Sequence, residues 1–101
     1  MTPDEASELA ETFRLLGEPN RLRLVVECLA GPKSVTELTE AVGVSQSLVS
    51  HHLRLLRAAR LLRQNRQGKN VFYDLPDCHV SEMLTNMMDH VVEHEHEGSE
   101  S

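Results

Sequence analysis

The stretch "VSQSLVSHHLRLLRAARLL", residues 44–62, decides the fold. It opens on Ser45, a residue type whose side-chain oxygen accepts from a free backbone N–H in the first turn and so starts a helix. Leu48, Val49, Leu53 and Leu56 then return at helical spacing, which predicts a helix with those four facing inward. The opposite side, Ser45, Gln46, Ser47, Ser50 and His51, is small or polar. Immediately before it, "SVTELTEAVG" (residues 34–43) places Ser34 and Glu37 at the capping-box spacing and ends on Gly43, which permits a tight turn. A short helix, a glycine turn and a longer helix make a helix-turn-helix.

The residues that follow change character. "RQNRQGKNVFYDL" (residues 63–75) has Gly68 between two short runs, the second rich in the strand formers Val71, Phe72 and Tyr73. This predicts a β-hairpin with a basic tip. Upstream, residues 4–16 repeat apolar positions at Leu9, Phe13 and Leu16, and Gly17 stops the run. "EPNRLRLVVECLAG" (residues 18–31) starts at Pro19 and Asn20, carries Leu22, Val25, Val26 and Leu29 on one face, and breaks at Gly31. Cys28 falls among those apolar neighbours as a small buried side chain. A last helix begins at Pro76 and Asp77, a good N-cap residue, and reaches about His94. The expected fold is mainly α with a small β-hairpin: a winged helix-turn-helix with a helix added at each end. One domain over residues 1–97 and a disordered tail over 98–101 follow from the 101-residue length and the polar end "EHEHEGSES".

Composition bounds the rest. No run of eighteen apolar residues exists to span a membrane. The acidic start "MTPDEASELAETF" lacks the apolar stretch of a secretory signal, and Cys28 and Cys78 stand fifty residues apart, so reduced thiols and a cytoplasmic location are expected. The net charge of −6 is unevenly spread. Residues 1–40 hold eight acids against four bases, and residues 74–101 hold eight acids with no Lys or Arg. Between them, residues 41–73 have six bases and no acid. A positive block flanked by acidic ones is the footprint of a local polyanion contact.

In a helix-turn-helix the N-terminal residues of the second helix reach base edges in the major groove. Here those are Ser45, Gln46, Ser47, Ser50 and His51; Gln46 has the amide geometry to pair with adenine. Arg54 serves phosphates further along, and Arg66 and Lys69 at the hairpin tip reach an adjoining phosphate or the minor groove. His51 and His52 are not read as a metal pair, since adjacent helical positions point about 100° apart. No Ser/His/Asp or Cys/His constellation argues for an enzyme.

With these residues in hand, the chain resembles the ArsR/SmtB family of metal-sensing repressors. The resemblance rests on "LLGEPNRLRL", "VSQSLVSHHLRLLRAARLL" and "RQGKNVFYDL" and covers most of the chain. It implies a homodimer, with the added N- and C-terminal helices serving dimerisation, that represses by binding operator DNA and releases it when an inducer binds. Two-fold symmetry would match an inverted-repeat operator.

The last helix carries Asp77, His79, His90 and Glu93, all residue types that bind first-row metals. Eleven residues separate His79 from His90, so they lie within about 20° around the helix but about 16 Å apart along it. One ion cannot bridge them. Two such helices packed antiparallel would bring Asp77 and His79 of one copy to His90 and Glu93 of the other. Two imidazoles and two carboxylates suit tetrahedral zinc, with cobalt or nickel as alternatives. The spacing Asp-x-His, ten residues, His-x-x-Glu is similar to that of the zinc-responsive branch, and the resemblance implies that these four residues are its ligands. It also implies that the free ring nitrogen of ligated His90 donates to the backbone carbonyl of Arg60, coupling metal to DNA. The cysteines used by thiolate-based relatives in the helix before the recognition helix are absent from "ELTEAVG". Other readings stay open: extension of the intersubunit site by His94 and His96 toward the six ligands that nickel prefers; local chelation by His90, Glu93, His94 and Glu97 of one helix; a thiol-redox or reactive-sulfur-sensing repressor using Cys28 and Cys78; and a cytosolic metal buffer.

Overall fold

The computed structural model describes the backbone of residues 1–100 and the side chains of residues 1–94. The tail expected over 98–101 and the side chains of His96 and Glu97 therefore lie outside the described residues. Helix α1 (Pro3–Leu16) starts in a capping box: the Thr2 side chain accepts from the Glu5 N–H, and the Glu5 carboxylate accepts from the Thr2 N–H. Helix α2 (Pro19–Glu27) is capped by Glu18, whose carboxylate accepts from the Arg21 N–H at 2.8 Å. Helix α2 then tightens into a 3-10 turn over Cys28–Ala30. Helix α3 (Val35–Val42) has the reciprocal Ser34–Glu37 bonds that the sequence predicts, and Gly43 ends it in the left-handed region at φ 77°. Helix α4 (Gln46–Ala58) is capped by Ser45, which accepts from the Leu48 N–H.

The wing is a two-residue hairpin, strands β2 (Arg63–Gln67) and β3 (Asn70–Asp74) joined through Gly68 and Lys69. Gly68 sits at φ 63°, a positive angle that an L side chain resists at the first position of such a turn. The sequence did not foretell β1 (Lys33–Ser34), which pairs with β3 as Lys33↔Tyr73 and Ser34↔Phe72 to give the sheet order β1-β3-β2. Two residues carry no alternation to read. Their pairing nevertheless ties the wing to the start of α3.

The core gathers one face from each element: Leu15 and Leu16, Leu24 and Val25, Leu38 and Val42, Val49, Leu53 and Leu56, Leu61 and Leu62, Tyr73 and Leu84. Burying a leucine of this kind contributes about 1.5–3 kcal/mol. Two arginines brace the core from outside. Arg21 Nε donates to the Leu15 carbonyl, and Arg23 donates through both Nη atoms to the Ala41 and Val42 carbonyls. Those last two carbonyls are left without helical partners at the end of α3, so Arg23 fixes the turn between α3 and α4.

Helix α5 (Cys78–Glu100) follows Pro76 and Asp77. Val80, Met83 and Leu84 in its first turns pack on the core. The same apolar stripe continues through Met87, Met88 and Val91, all exposed, with Val92 beside it at 61 % exposure. Leu9 and Phe13 of α1 are also exposed, at 42 % and 52 %, so the face predicted for α1 is buried only near its end. No helix among the described residues is long and apolar enough to cross a membrane.

Candidate nucleic-acid interface and metal centre

Helix α4 presents its polar side as predicted. Ser45, Gln46, Ser47 and His51 are exposed and Ser50 is half-buried. Leu48 departs from expectation: it is 39 % exposed, and the buried stripe runs Val49, His52, Leu53, Leu56 instead. Leu48 lies on the first turn, beyond the reach of α2 and α3, and so remains with the polar face.

His52 is a residue whose place sequence reasoning did not foresee. It is buried, its Nε2 lies 3.8 Å from Glu18 Oε2, and its Nδ1 has no hydrogen-bond partner. Burial pushes its pKa below the usual imidazole value; the Glu18 carboxylate opposes that shift more weakly. The signal was available, because position 52 lies three residues after Val49 and four before Leu56, within the inner stripe.

The arginines Arg54, Arg57 and Arg60 are exposed, as are Arg66 and Lys69 at the hairpin tip. Arg63 is held by Asp74, Nε to Oδ1 at 2.7 Å. Arg60 takes a left-handed φ of 60°, unusual for a residue with a side chain. The cause is the helix end. The Leu61 N–H donates to the Leu56 carbonyl and the Arg60 N–H to the Arg57 carbonyl, the paired bonds of a Schellman motif, with Leu61 and Leu56 buried together.

On α5 the structure places the metal-ligand candidates in two groups. Asp77 Oδ1 accepts from the His79 N–H at 2.9 Å and lies 3.4 Å from His79 Nδ1, so these two side chains share one side of the helix start. Both are exposed to solvent. His90 and Glu93 are exposed near the other end, and the His90 ring stacks on His94 at 5.5 Å. One chain brings Asp77 to His79, but it does not bring that pair to His90 and Glu93. Among the described residues no three His, Cys, Asp or Glu side chains gather around one point. Nor does a hydrogen bond join His90 to Arg60 within the chain. The donors themselves, two imidazoles and two carboxylates, fit a divalent first-row ion. Cys78 is exposed, whereas burial pushes the Cys28 thiol up to about 12.

The family described as "Bacterial regulatory protein, arsR family" matches residues 18–64, from the cap of α2 into the wing. Over 93 residues the chain is 42 % identical to the transcriptional repressor SmtB homolog of a Synechocystis species, covering 92 % of this chain and 70 % of that one. It is 41 % identical to the HTH-type transcriptional regulator NmtR of Mycobacterium tuberculosis, with 92 % of this chain and 77 % of the relative covered. The solution structure of apo-NmtR superposes with a TM-score of 0.76 at 36 % identity, over 92 % of this chain and 78 % of that chain.

Proposed function

From the premise that the chain belongs to the arsR family of bacterial regulatory proteins, whose members here are transcriptional regulators and not enzymes, we propose that it is a metal-responsive repressor that binds operator DNA as a homodimer and releases it when zinc binds. Two α4 helices related by a dyad read an inverted repeat through Ser45, Gln46, Ser47, Ser50 and His51, with Arg54, Arg66 and Lys69 on phosphates. Such a regulator works in the cytoplasm. Support for a second copy comes from the uncovered stripe Met87, Met88 and Val91, which continues a buried face past the edge of the core.

The observation that carries the metal reading is the placement of Asp77 beside His79 at one end of α5, with His90 and Glu93 facing solvent toward the other. Asp77 and His79 of one copy, with His90 and Glu93 of a second, complete a four-donor set, two sets per dimer. When bound, zinc supplies a rigid link among four deprotonated donors. Cobalt would accept the same four donors, whereas nickel, with a stronger geometric preference of its own, would call for further ligands. The second ring nitrogen of His90 is the donor assigned to the Arg60 carbonyl, which the Schellman end of α4 holds in place. Linkage then requires DNA to weaken metal affinity by the same factor that metal weakens DNA affinity.

The test is a duplex titration with zinc, cobalt and nickel at fixed salt, since phosphate contacts make affinity salt-dependent. Asp77→Ala should abolish high-affinity zinc binding and leave DNA affinity intact. Unchanged zinc affinity would favour local chelation by His90, Glu93, His94 and Glu97. The thiol-sensing alternative is weakened because Cys28 stays a buried, protonated thiol. Sequence-specific DNA binding would dismiss the metal buffer.

A further inference from the structure

The base-reading end of α4 does not account for the arginines gathered at the other end of that helix. Arg54, Arg57, Arg60, Arg63, Gln64 and Pro76 surround an open hollow of about 610 Å3 between the C-terminal half of α4 and the first strand of the wing. Arg54 and Arg57, three residues apart, share one face of α4. The Schellman end then turns the chain so that Arg60 follows at the rim. Arg63 is answered from within the chain by Asp74, through Nε at 2.7 Å and Nη2 at 3.4 Å. Arg54, Arg57 and Arg60 have no carboxylate partner among the described residues. A lone exposed arginine is an ordinary solvated charge. Three unpaired guanidiniums around one hollow repel one another, and an anion is what relieves that repulsion.

The chemistry that fits is a phosphate oxyanion. Guanidinium groups bind it through paired N–H donors, and the Gln64 amide adds a neutral donor at the wall. Its source is either a free ion or the backbone of a duplex. The duplex is the favoured source because the hollow is walled by α4 and β2, the two elements whose other ends carry the proposed DNA contacts. On its other side Arg60 shares a second hollow with Glu8 and Glu11 of α1, where Glu11 is already paired with Arg14.

We propose that Arg54, Arg57 and Arg60 form a clamp for a backbone phosphate of the bound duplex. The clamp contributes affinity and register without reading sequence. This inference rests on the DNA-binding reading above and adds Arg57 and Arg60 to it.

The test measures duplex affinity of the full chain across 50–200 mM salt, using a duplex selected by the protein from a random pool and an unselected duplex. The chains compared are wild type, Arg57→Gln, Arg60→Gln, and Lys33→Gln in β1 as a control. Each lost phosphate contact should flatten the slope of log affinity against log salt by about 0.9, so the variant loses about 3-fold less affinity over that range. Both duplexes should weaken alike, leaving their affinity ratio unchanged, and Lys33→Gln should match wild type. Wild-type slopes in variants with unchanged thermal midpoints would overturn the clamp, as would a changed affinity ratio. Binding of inorganic phosphate that depends on Arg57, with duplex slopes unaltered, would assign the hollow to a free anion and also overturn it. If wild type binds neither duplex at any salt, the repressor reading itself falls, a result distinct from all of these.

Discussion

His52 couples two requirements that pull against each other. Its position in the inner stripe of α4 demands an uncharged side chain, while Glu18 beside it favours an imidazolium. Burial is the larger effect, so its folded-state pKa lies below that of the unfolded chain. The sign follows directly. Above the unfolded value both states hold His52 neutral and stability is complete. As pH falls through that value the unfolded chain takes up a proton that the folded one resists, and stability is lost until the folded pKa is passed. Urea unfolding between pH 7.5 and 5 should therefore show a loss of stability on acidification that is smaller in His52→Gln. Equal slopes in the two proteins would mean that the Glu18 carboxylate compensates for burial. Leu56, fully buried in the same stripe, tests packing alone: Leu56→Ala should cost about 2–5 kcal/mol at any pH, read from the same denaturation curves.

The helix-turn-helix depends on a turn that only a few residue types make well. Gly43 stands at φ 77° with open space around its α-carbon, so a methyl group there meets no neighbour and the cost is purely conformational. Gly43→Ala should destabilise by about 1–2 kcal/mol in thermal or urea unfolding, with α3 and α4 otherwise intact. Ser34→Ala, which removes the cap of α3, should cost about 1 kcal/mol by the same measure. These devices were legible in the sequence because each is local: a cap and its partner three residues on, a glycine at a helix end, a turn between two short runs. The misses were not local. Strand β1 exists only because Lys33 and Ser34 lie alongside Tyr73 and Phe72, some forty residues away. Leu48, expected inside, is exposed, and His52, for which no place was predicted, lies in the buried stripe instead. Arg60 occupies a left-handed position where glycine would be expected, and only the bonds closing α4 reveal it. The candidate ligands on α5 were proposed from their spacing; within one chain Asp77 lies beside His79, and His90 and Glu93 stand apart from them.

A single copy leaves two things unfinished, an apolar stripe that runs off its core and a donor set divided between the ends of one rod. Both have the same remedy if α5 packs against a second α5, and one substitution separates this from its rivals. Met87 is 54 % exposed and lies between the two donor groups, eight residues after His79 and three before His90. In an isolated chain a surface change of this kind alters stability by less than about 0.5 kcal/mol. In an antiparallel dimer, Met87→Glu buries a carboxylate against apolar side chains, a cost no protein interior leaves unpaired without penalty. Sedimentation should show the wild type as a dimer and Met87→Glu as a monomer with helical content unchanged. Because each monomer then holds only half of a donor set, its zinc affinity should fall together with its dimerisation, and its preference for an inverted repeat over a single half-site should vanish. A monomeric Met87→Glu chain that still binds zinc as tightly as wild type would place the ion on one helix, among residues near His90, and would remove the reason for metal to act on the geometry of two recognition helices.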